Sequence, residues 1–113
     1  MKEKEIEKIL TDTVKKLGGR AYKWVSPGNA GVPDRIVILP GRPPVFVELK
    51  TDTGTLTALQ TAQIRRLRGL GQKVWVVKGL DGLVRFFGEI GYAAAALDIC
   101  NKYGAGRKGG DAK

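Results

Sequence analysis

The chain has 113 residues, of which 42% are hydrophobic, and its 20 Lys and Arg against 11 Asp and Glu give a net charge of +9. This size allows one domain with a modest core, and the charge favours a polyanionic partner such as nucleic acid, although a merely basic soluble surface is the alternative. There is no histidine, which excludes Ser-His-Asp triads and imidazole general bases. Any hydrolysis would therefore depend on carboxylates, lysine and a hard metal ion.

The single cysteine, Cys100, excludes an internal disulfide, and without histidine a four-ligand structural zinc site is also implausible. No apolar run is long enough to cross a bilayer, and the amino-terminal sequence MKEKEIEKIL is charged rather than signal-like. These features predict a soluble, cytosolic protein that does not associate with membranes.

The first half of the chain predicts one helix followed by three strands. Apolar residues recur at helical spacing before Gly18-Gly19, and three short segments rich in β-branched and aromatic residues follow. Glycine and proline separate these segments and exclude regular structure between them. The predicted elements are a helix over 3–17, strands over 21–25, 35–39 and 45–50, a loop over 26–33 and a turn over 40–44.

The second half predicts a helix that begins after the N-cap residue Thr57 and ends at Arg68. A continuous apolar strand should follow, of the kind covered on both faces of a sheet. Beyond it the pattern leaves a short helix or a last strand open for 80–90, favours a helix over 92–103, and indicates disorder for the Gly- and Lys-rich residues 104–113. The order αβββαβ predicts an α/β fold, a mixed sheet flanked by helices.

The most informative feature is Pro33-Asp34 followed, after thirteen intervening residues, by Glu48-Leu49-Lys50. Side chains alternate between the faces of a strand, so Glu48 and Lys50 should share one face. The proline-rich turn would fold this strand back on the preceding one and bring Asp34 close to Glu48. Two carboxylates would then converge beside an ammonium group.

This combination suits a magnesium-dependent phosphodiesterase. Asp34, Glu48 and the backbone carbonyl of Leu49 offer the oxygen ligands that Mg²⁺ prefers. The ion would polarise a phosphodiester and activate water, while Lys50 would orient that water or stabilise developing charge. The alternative is an exposed salt bridge between Glu48 and Lys50, which is the usual meaning of an isolated E-x-K in a strand.

The runs VSPGNAGVPDRIVILPG and VFVELKTDTGTLTALQ closely resemble the virus-type replication-repair nuclease (VRR-NUC) domain of the PD-(D/E)xK nuclease superfamily. The resemblance includes the G-V-P-D-R segment, the E-L-K triplet and the downstream L-T-x-x-Q, and it covers roughly residues 5–88. It implies a restriction-endonuclease-like fold over 1–90, dependence on Mg²⁺ or Mn²⁺, and DNA cleavage in a bacterial or phage-infected cell.

The resemblance also assigns roles to residues of this chain. It places metal-binding carboxylates at Asp34 and Glu48, the catalytic lysine at Lys50 and the helix glutamine at Gln60, with Gln63 one turn beyond as the competing choice. Ala58-Leu59 stands where many relatives have Pro-Glu, which leaves the motif residues intact.

The family usually adds a glutamate from the first helix. Glu3, Glu5 and Glu7 are the candidates, and we favour Glu7 because it lies at the edge of the apolar stripe, where it could reach inward. A solvated helix flank is the alternative reading of Glu7.

Two groups of residues are candidates for DNA contacts. Ser26, Gly28 and Asn29 form the loop before Asp34 and could offer a hydroxyl and N–H groups to phosphate, or they could simply connect two strands. Arg65, Arg66 and Arg68 could follow a DNA backbone or form a solvated helix face. Arg35, Trp24 and Trp75 are assigned to structure rather than to DNA.

Standalone members of the family resemble homodimeric enzymes that act on branched DNA. A four-way junction has near two-fold symmetry, so a two-fold dimer could cut opposing strands. We therefore expect a homodimeric, Holliday-junction-resolving type of endonuclease that takes no small-molecule substrate, with 83–87 and 92–100 as candidate dimer surfaces. The alternatives are a nuclease on flaps, nicks or duplex DNA, a catalytically silent DNA-binding module, and an RNA-binding protein, for which no aromatic stacking motif is present.

Overall fold

A computed structural model of the chain describes residues 1–104. Its elements run in the predicted order αβββαβ and then add two helices. They are α1 (Glu3–Lys16), β1 (Arg20–Lys23), β2 (Arg35–Ile38), β3 (Val45–Lys50), α2 (Ala58–Gly69), β4 (Lys73–Lys78), α3 (Gly79–Glu89) and α4 (Ala93–Tyr103). Apart from Gly104, which follows α4, the tail for which disorder is predicted lies outside the described residues.

The four strands form one mixed sheet in the order β1-β2-β3-β4. The turn over 40–44 folds β3 back against β2, so β1, β2 and β3 form an antiparallel meander. Strand β4 instead pairs with β3 in parallel, because α2 carries the chain back across the sheet between them. The predicted α/β class and the flanking helices are confirmed.

The two faces of the sheet are covered by different helices. Val47 and Leu49 point towards α1 and α3 and join the main core, whereas Glu48, one residue out of phase, faces α2 and bonds to it. The core on the α1 and α3 side is wholly apolar; its fully enclosed members include Ile6, Leu10, Val14, Leu83, Phe86 and Phe87.

Each tryptophan contacts a phenylalanine. Trp75 meets Phe86 edge-on with ring centroids 5.5 Å apart, and Trp24 lies 5.3 Å from Phe46 on the opposite face of the sheet. Trp75 therefore packs against the core as predicted, whereas Trp24 is half-buried on the other face.

Residues 80–90, for which a helix or a strand was open, form most of the helix α3. The expectation that 83–87 forms a dimer surface is wrong, because Leu83, Phe86 and Phe87 are fully buried within the protomer. In 92–100, Leu97 is 59% exposed, so that part of the expectation stays a prediction. Within residues 1–104, no helix has both the length and the apolar character needed to span a membrane.

Candidate active site

The hairpin of β2 and β3 places the two predicted carboxylates side by side. Arg35 is paired with Val47, so Asp34 at the start of β2 lies next to Glu48 near the end of β3. The Oδ2 atom of Asp34 accepts a hydrogen bond of 2.7 Å from the backbone N–H of Leu49. This contact fixes the Asp34 carboxylate at the end of the sheet where β3 finishes.

Glu48 is a buried carboxyl group, with 1% of the residue exposed. Its Oε2 accepts a hydrogen bond of 2.9 Å from Gln60, whereas its buried Oε1 has no hydrogen-bond partner among the described residues. Burial, and then the negative charge of Asp34, raise the pKa of Glu48 to about 7, and the positive charge of Lys50 opposes that rise. The site thus holds a carboxyl group that is costly to ionise in the protein alone.

Lys50 lies beside this carboxyl group, as strand alternation predicts. Its Nζ is 3.8 Å from Oε2 of Glu48, and 13% of its side chain is exposed. A lysine so enclosed keeps a defined position while its ammonium group can still reach a ligand at the edge of the sheet.

The structure separates the two glutamines of α2. Gln60 forms a capping box with Thr57: its backbone N–H donates to Oγ1 of Thr57, and its Oε1 accepts from the Thr57 N–H. With its amide oxygen held in this way, Nε2 of Gln60 points at Glu48. Gln63 instead donates 3.2 Å to the carbonyl of Ala30 and ties the glycine-rich loop to α2.

The loop before Asp34 is a built connection. Asn29 closes a turn on Ser26 through its backbone N–H and its side-chain amide, each at 3.0 Å. Gly31 has a φ of +90°, and a Cβ there would lie 2.6 Å from the carbonyl carbon of Leu59, so no larger residue fits. The loop is therefore pressed against the first turn of α2, next to Gln60.

The glutamate favoured from the helical wheel, Glu7, reaches inward from α1 but does not reach Glu48. Glu7 pairs at 2.8 Å with Arg35, whose side chain projects from the α1 face of the sheet, opposite to Glu48. Arg35 also donates to the carbonyl of Ala21, which confirms its structural role. Glu7 is thus held on the face of the sheet opposite to Glu48. The negative charge of Glu3, by contrast, acts on Glu48 and contributes to its raised pKa.

The three arginines of α2 lie in the half of the helix remote from the site. Arg68 donates 2.7 Å to the carbonyl of Val74, a contact that fastens α2 to the start of β4. Arg65 and Arg66 are exposed. With a rise of about 1.5 Å per residue, Arg65 is already ~8 Å along the helix axis from Gln60.

The oxygen atoms at this end of the sheet fit a divalent cation. Continuing the β2–β3 register brings Pro33 opposite Leu49. Since Leu49 directs its N–H towards β2, its carbonyl lies on the same side, and Pro33 has no N–H to offer it. That carbonyl, Asp34 and the unpartnered Oε1 of Glu48 form an oxygen donor set suited to Mg²⁺ or Mn²⁺. The part that Pro33 plays in leaving the Leu49 carbonyl available was not predicted from the sequence. The signal that could have shown it is that proline has no backbone N–H.

Residues 1–104 contain no group of three or more His, Cys, Asp or Glu side chains arranged to hold a metal ion. The protein ligands would thus number two carboxylates and one carbonyl. Water would complete the octahedral shell that magnesium usually keeps.

No family model matches the chain. It is 46% identical over 81 residues to a curated phage protein named "Putative nuclease p44", from Acyrthosiphon pisum secondary endosymbiont phage 1, and the match spans 72% of this chain and 87% of p44. It is also similar to a solved structure described as a VRR_NUC domain, with a TM-score of 0.64 and 25% identity over 89% of this chain and 96% of the other. The chain belongs to the VRR-NUC family.

Membership of the VRR-NUC family confirms the resemblance carried by the G-V-P-D-R and E-L-K segments, and it supports nuclease activity. In this VRR-NUC chain the motif residues Asp34, Glu48 and Lys50 converge at one end of the sheet, with Gln60 bonded to Glu48. The family assignment and the geometry therefore point to the same end of the molecule.

Proposed function

We propose that this protein is a divalent-metal-dependent DNA endonuclease that hydrolyses phosphodiester bonds at the Asp34–Glu48–Lys50 site. The observation that carries the proposal is the buried Oε1 of Glu48, which has no hydrogen-bond partner among residues 1–104 although a second carboxylate, that of Asp34, lies close by. Buried polar atoms are almost always satisfied, so a polar atom without a partner needs an explanation. A metal ion bound there supplies one.

The bound ion would supply Lewis-acid stabilisation of the phosphate and a more acidic water. Asp34 and Glu48 hold oxygen atoms at the end of the sheet, and the amide of Gln60 fixes how Glu48 is turned. The Lys50 ammonium stabilises charge on the non-bridging oxygens of the phosphate, or orients the attacking water. The products of hydrolysis are a free hydroxyl and a phosphate monoester on the two sides of the cut.

DNA is favoured as the substrate by the net charge of +9, which suits the polyanionic backbone of a nucleic acid. We further propose a homodimer that acts on four-way junctions. A single small domain has little surface for a large branched substrate, and two-fold pairing would place one site on each opposing strand.

The test is a panel of labelled four-way junction, flap, nicked and linear duplex DNA, incubated with Mg²⁺, Mn²⁺ or EDTA. We expect metal-dependent paired nicks, symmetric across the junction, and a solution mass of twice 12.2 kDa. Asp34→Asn should abolish cleavage. The matched change Asp12→Asn, at an exposed residue paired with Lys8 on α1, should not.

Cleavage of every substrate by Asp34→Asn at the wild-type rate would overturn the site assignment. Cutting confined to flaps, nicks or linear duplex would overturn the junction specificity alone. Binding without cleavage in either metal would indicate a silent DNA-binding module.

A further inference from the structure

A second lysine lies at the same end of the sheet as the catalytic group. Lys78, the last residue of β4, is directly paired with Lys50 in the parallel register of β3 and β4. Adjacent strands lie about 4.8 Å apart, and directly paired residues direct their side chains to the same face. Lys78 therefore projects from the face that carries Glu48 and Lys50, one strand further from Asp34.

The two lysines differ in how their charge is used. Lys50 is largely enclosed and lies 3.8 Å from Glu48, whereas Lys78 is exposed. None of the ion pairs found among residues 1–104 includes Lys78. Its ammonium group is thus open to a ligand from solvent, while that of Lys50 already faces a carboxylate.

The position of Lys78 is fixed by the backbone around it. Lys78 remains extended, with φ −107° and ψ 111°, and α3 begins at the next residue. Gly79 has a φ of +65°, and a Cβ there would lie 3.1 Å from Cβ of Asp52, which belongs to the loop that follows Lys50. Strand pairing and this close contact together hold the end of β4 against the end of β3.

We propose that Lys78 is a substrate-positioning residue, which binds a DNA phosphate next to the one cleaved at Lys50. This inference rests on the proposed nuclease function. The site would then extend across three strand ends, from Asp34 on β2 through Lys50 on β3 to Lys78 on β4, over about 10 Å. Lysine is suited to such a contact because its ammonium group binds phosphate as a compact point charge.

The test compares Lys78→Ala with Lys78→Arg and with Lys73→Ala. Lys73 is also exposed and lies on β4, but at its other end and on its other face, about 16 Å away. Binding to labelled four-way junction DNA is measured in EDTA, so that no cleavage intervenes, at salt concentrations from 50 to 400 mM.

Lys78→Ala should lose one phosphate contact, which reduces the magnitude of the slope of log association constant against log salt concentration by about 0.9. This change corresponds to roughly 15-fold weaker binding at 50 mM salt and roughly 4-fold weaker binding at 200 mM. Lys78→Arg should keep the wild-type slope, and so should Lys73→Ala. In Mg²⁺, Lys78→Ala should raise KM and leave kcat within about two-fold, since Lys50 remains in place. Its thermal stability should match the wild type because the residue is exposed.

An unchanged salt slope in Lys78→Ala would overturn the inference, and so would an equal loss in Lys73→Ala. A fall in kcat with unchanged binding would also overturn it, because Lys78 would then act in the chemical step. These failures are distinguishable from failure of the proposed function, in which the wild-type protein itself does not cleave DNA in Mg²⁺ or Mn²⁺, whether or not it binds.

Discussion

Replacing Glu48 by Gln should stabilise the metal-free protein at neutral and alkaline pH. The pKa of Glu48 is raised from 4.5 to about 7 in the folded state, chiefly by burial. A carboxyl group with a raised folded-state pKa contributes full stability below pH 4.5, and that contribution is lost as the pH rises through about 7. The difference between the two pKa values corresponds to roughly 3 kcal/mol of unfolding free energy above pH 7.

Glutamine has nearly the same shape as glutamate, and its carbonyl can still accept the hydrogen bond that Gln60 donates to Oε2. Because glutamine carries no charge, the variant should not lose the unfolding free energy that the wild type loses when Glu48 ionises. Wild type and Glu48→Gln should therefore have similar unfolding free energies near pH 4.5, and above pH 7 the variant should be more stable by as much as ~3 kcal/mol.

The assay is urea unfolding followed by circular dichroism, in EDTA, from pH 4.5 to 8.5. Titrating groups remote from Glu48 affect both proteins alike, so the difference between the two curves reports on Glu48 and the charges that interact with it, chiefly those of Asp34 and Lys50. Added Mg²⁺ should raise the stability of the wild type at pH 8 and leave Glu48→Gln little changed, since a ligand that binds only the folded state stabilises it. Parallel pH profiles of the two proteins in EDTA would show that folding does not raise the pKa of Glu48.

Two further comparisons follow from the site. Gly31→Ala should cost about 1–3 kcal/mol of unfolding free energy and reduce DNA cleavage, because the new Cβ would meet the backbone of Leu59. Gly28 has a similar positive φ but open space around it, so Gly28→Ala should cost less than half of that. Equal shifts in the melting temperatures of the two variants would contradict a role for packing against Leu59. Glu7→Gln should lower stability by about 1–3 kcal/mol through its bond to Arg35, with kcat near the wild-type value. Glu3→Gln removes a negative charge that raises the pKa of Glu48, so it should lower that pKa with little change in melting temperature. A large fall in kcat in Glu7→Gln with an unchanged melting temperature would restore Glu7 to the site.

The centre of the site could be predicted because its geometry is local. Alternation along β3 places Glu48 and Lys50 on one face, and a proline-rich turn of five residues makes β2 and β3 a hairpin, which brings Asp34 to the same end. Gln60 was assigned through the family resemblance, and the structure adds that it is the third residue after the N-cap Thr57, where it forms the capping box.

The parts that could not be predicted depend on how distant elements pack. A helical wheel shows that Glu7 borders the apolar stripe of α1, but only the fold shows that this border meets Arg35 on the face opposite Glu48. The helix α3 was ambiguous because Val84, Phe86 and Phe87 are residue types that favour strands and Gly82 disfavours a helix, although Leu83, Phe86 and Phe87 are spaced as one helical face. Lys78 has no motif around it, and its place beside Lys50 follows only from the strand register.

The assignment of the active site is tested most directly by the Mg²⁺-dependent cleavage of a four-way junction by folded wild-type and Lys50→Ala proteins, assayed side by side with binding to the same DNA. We expect paired nicks by the wild type, none in EDTA, and none by Lys50→Ala although that variant still binds the junction. Cleavage by Lys50→Ala at the wild-type rate, or wild-type cleavage that persists in EDTA, would contradict the assignment.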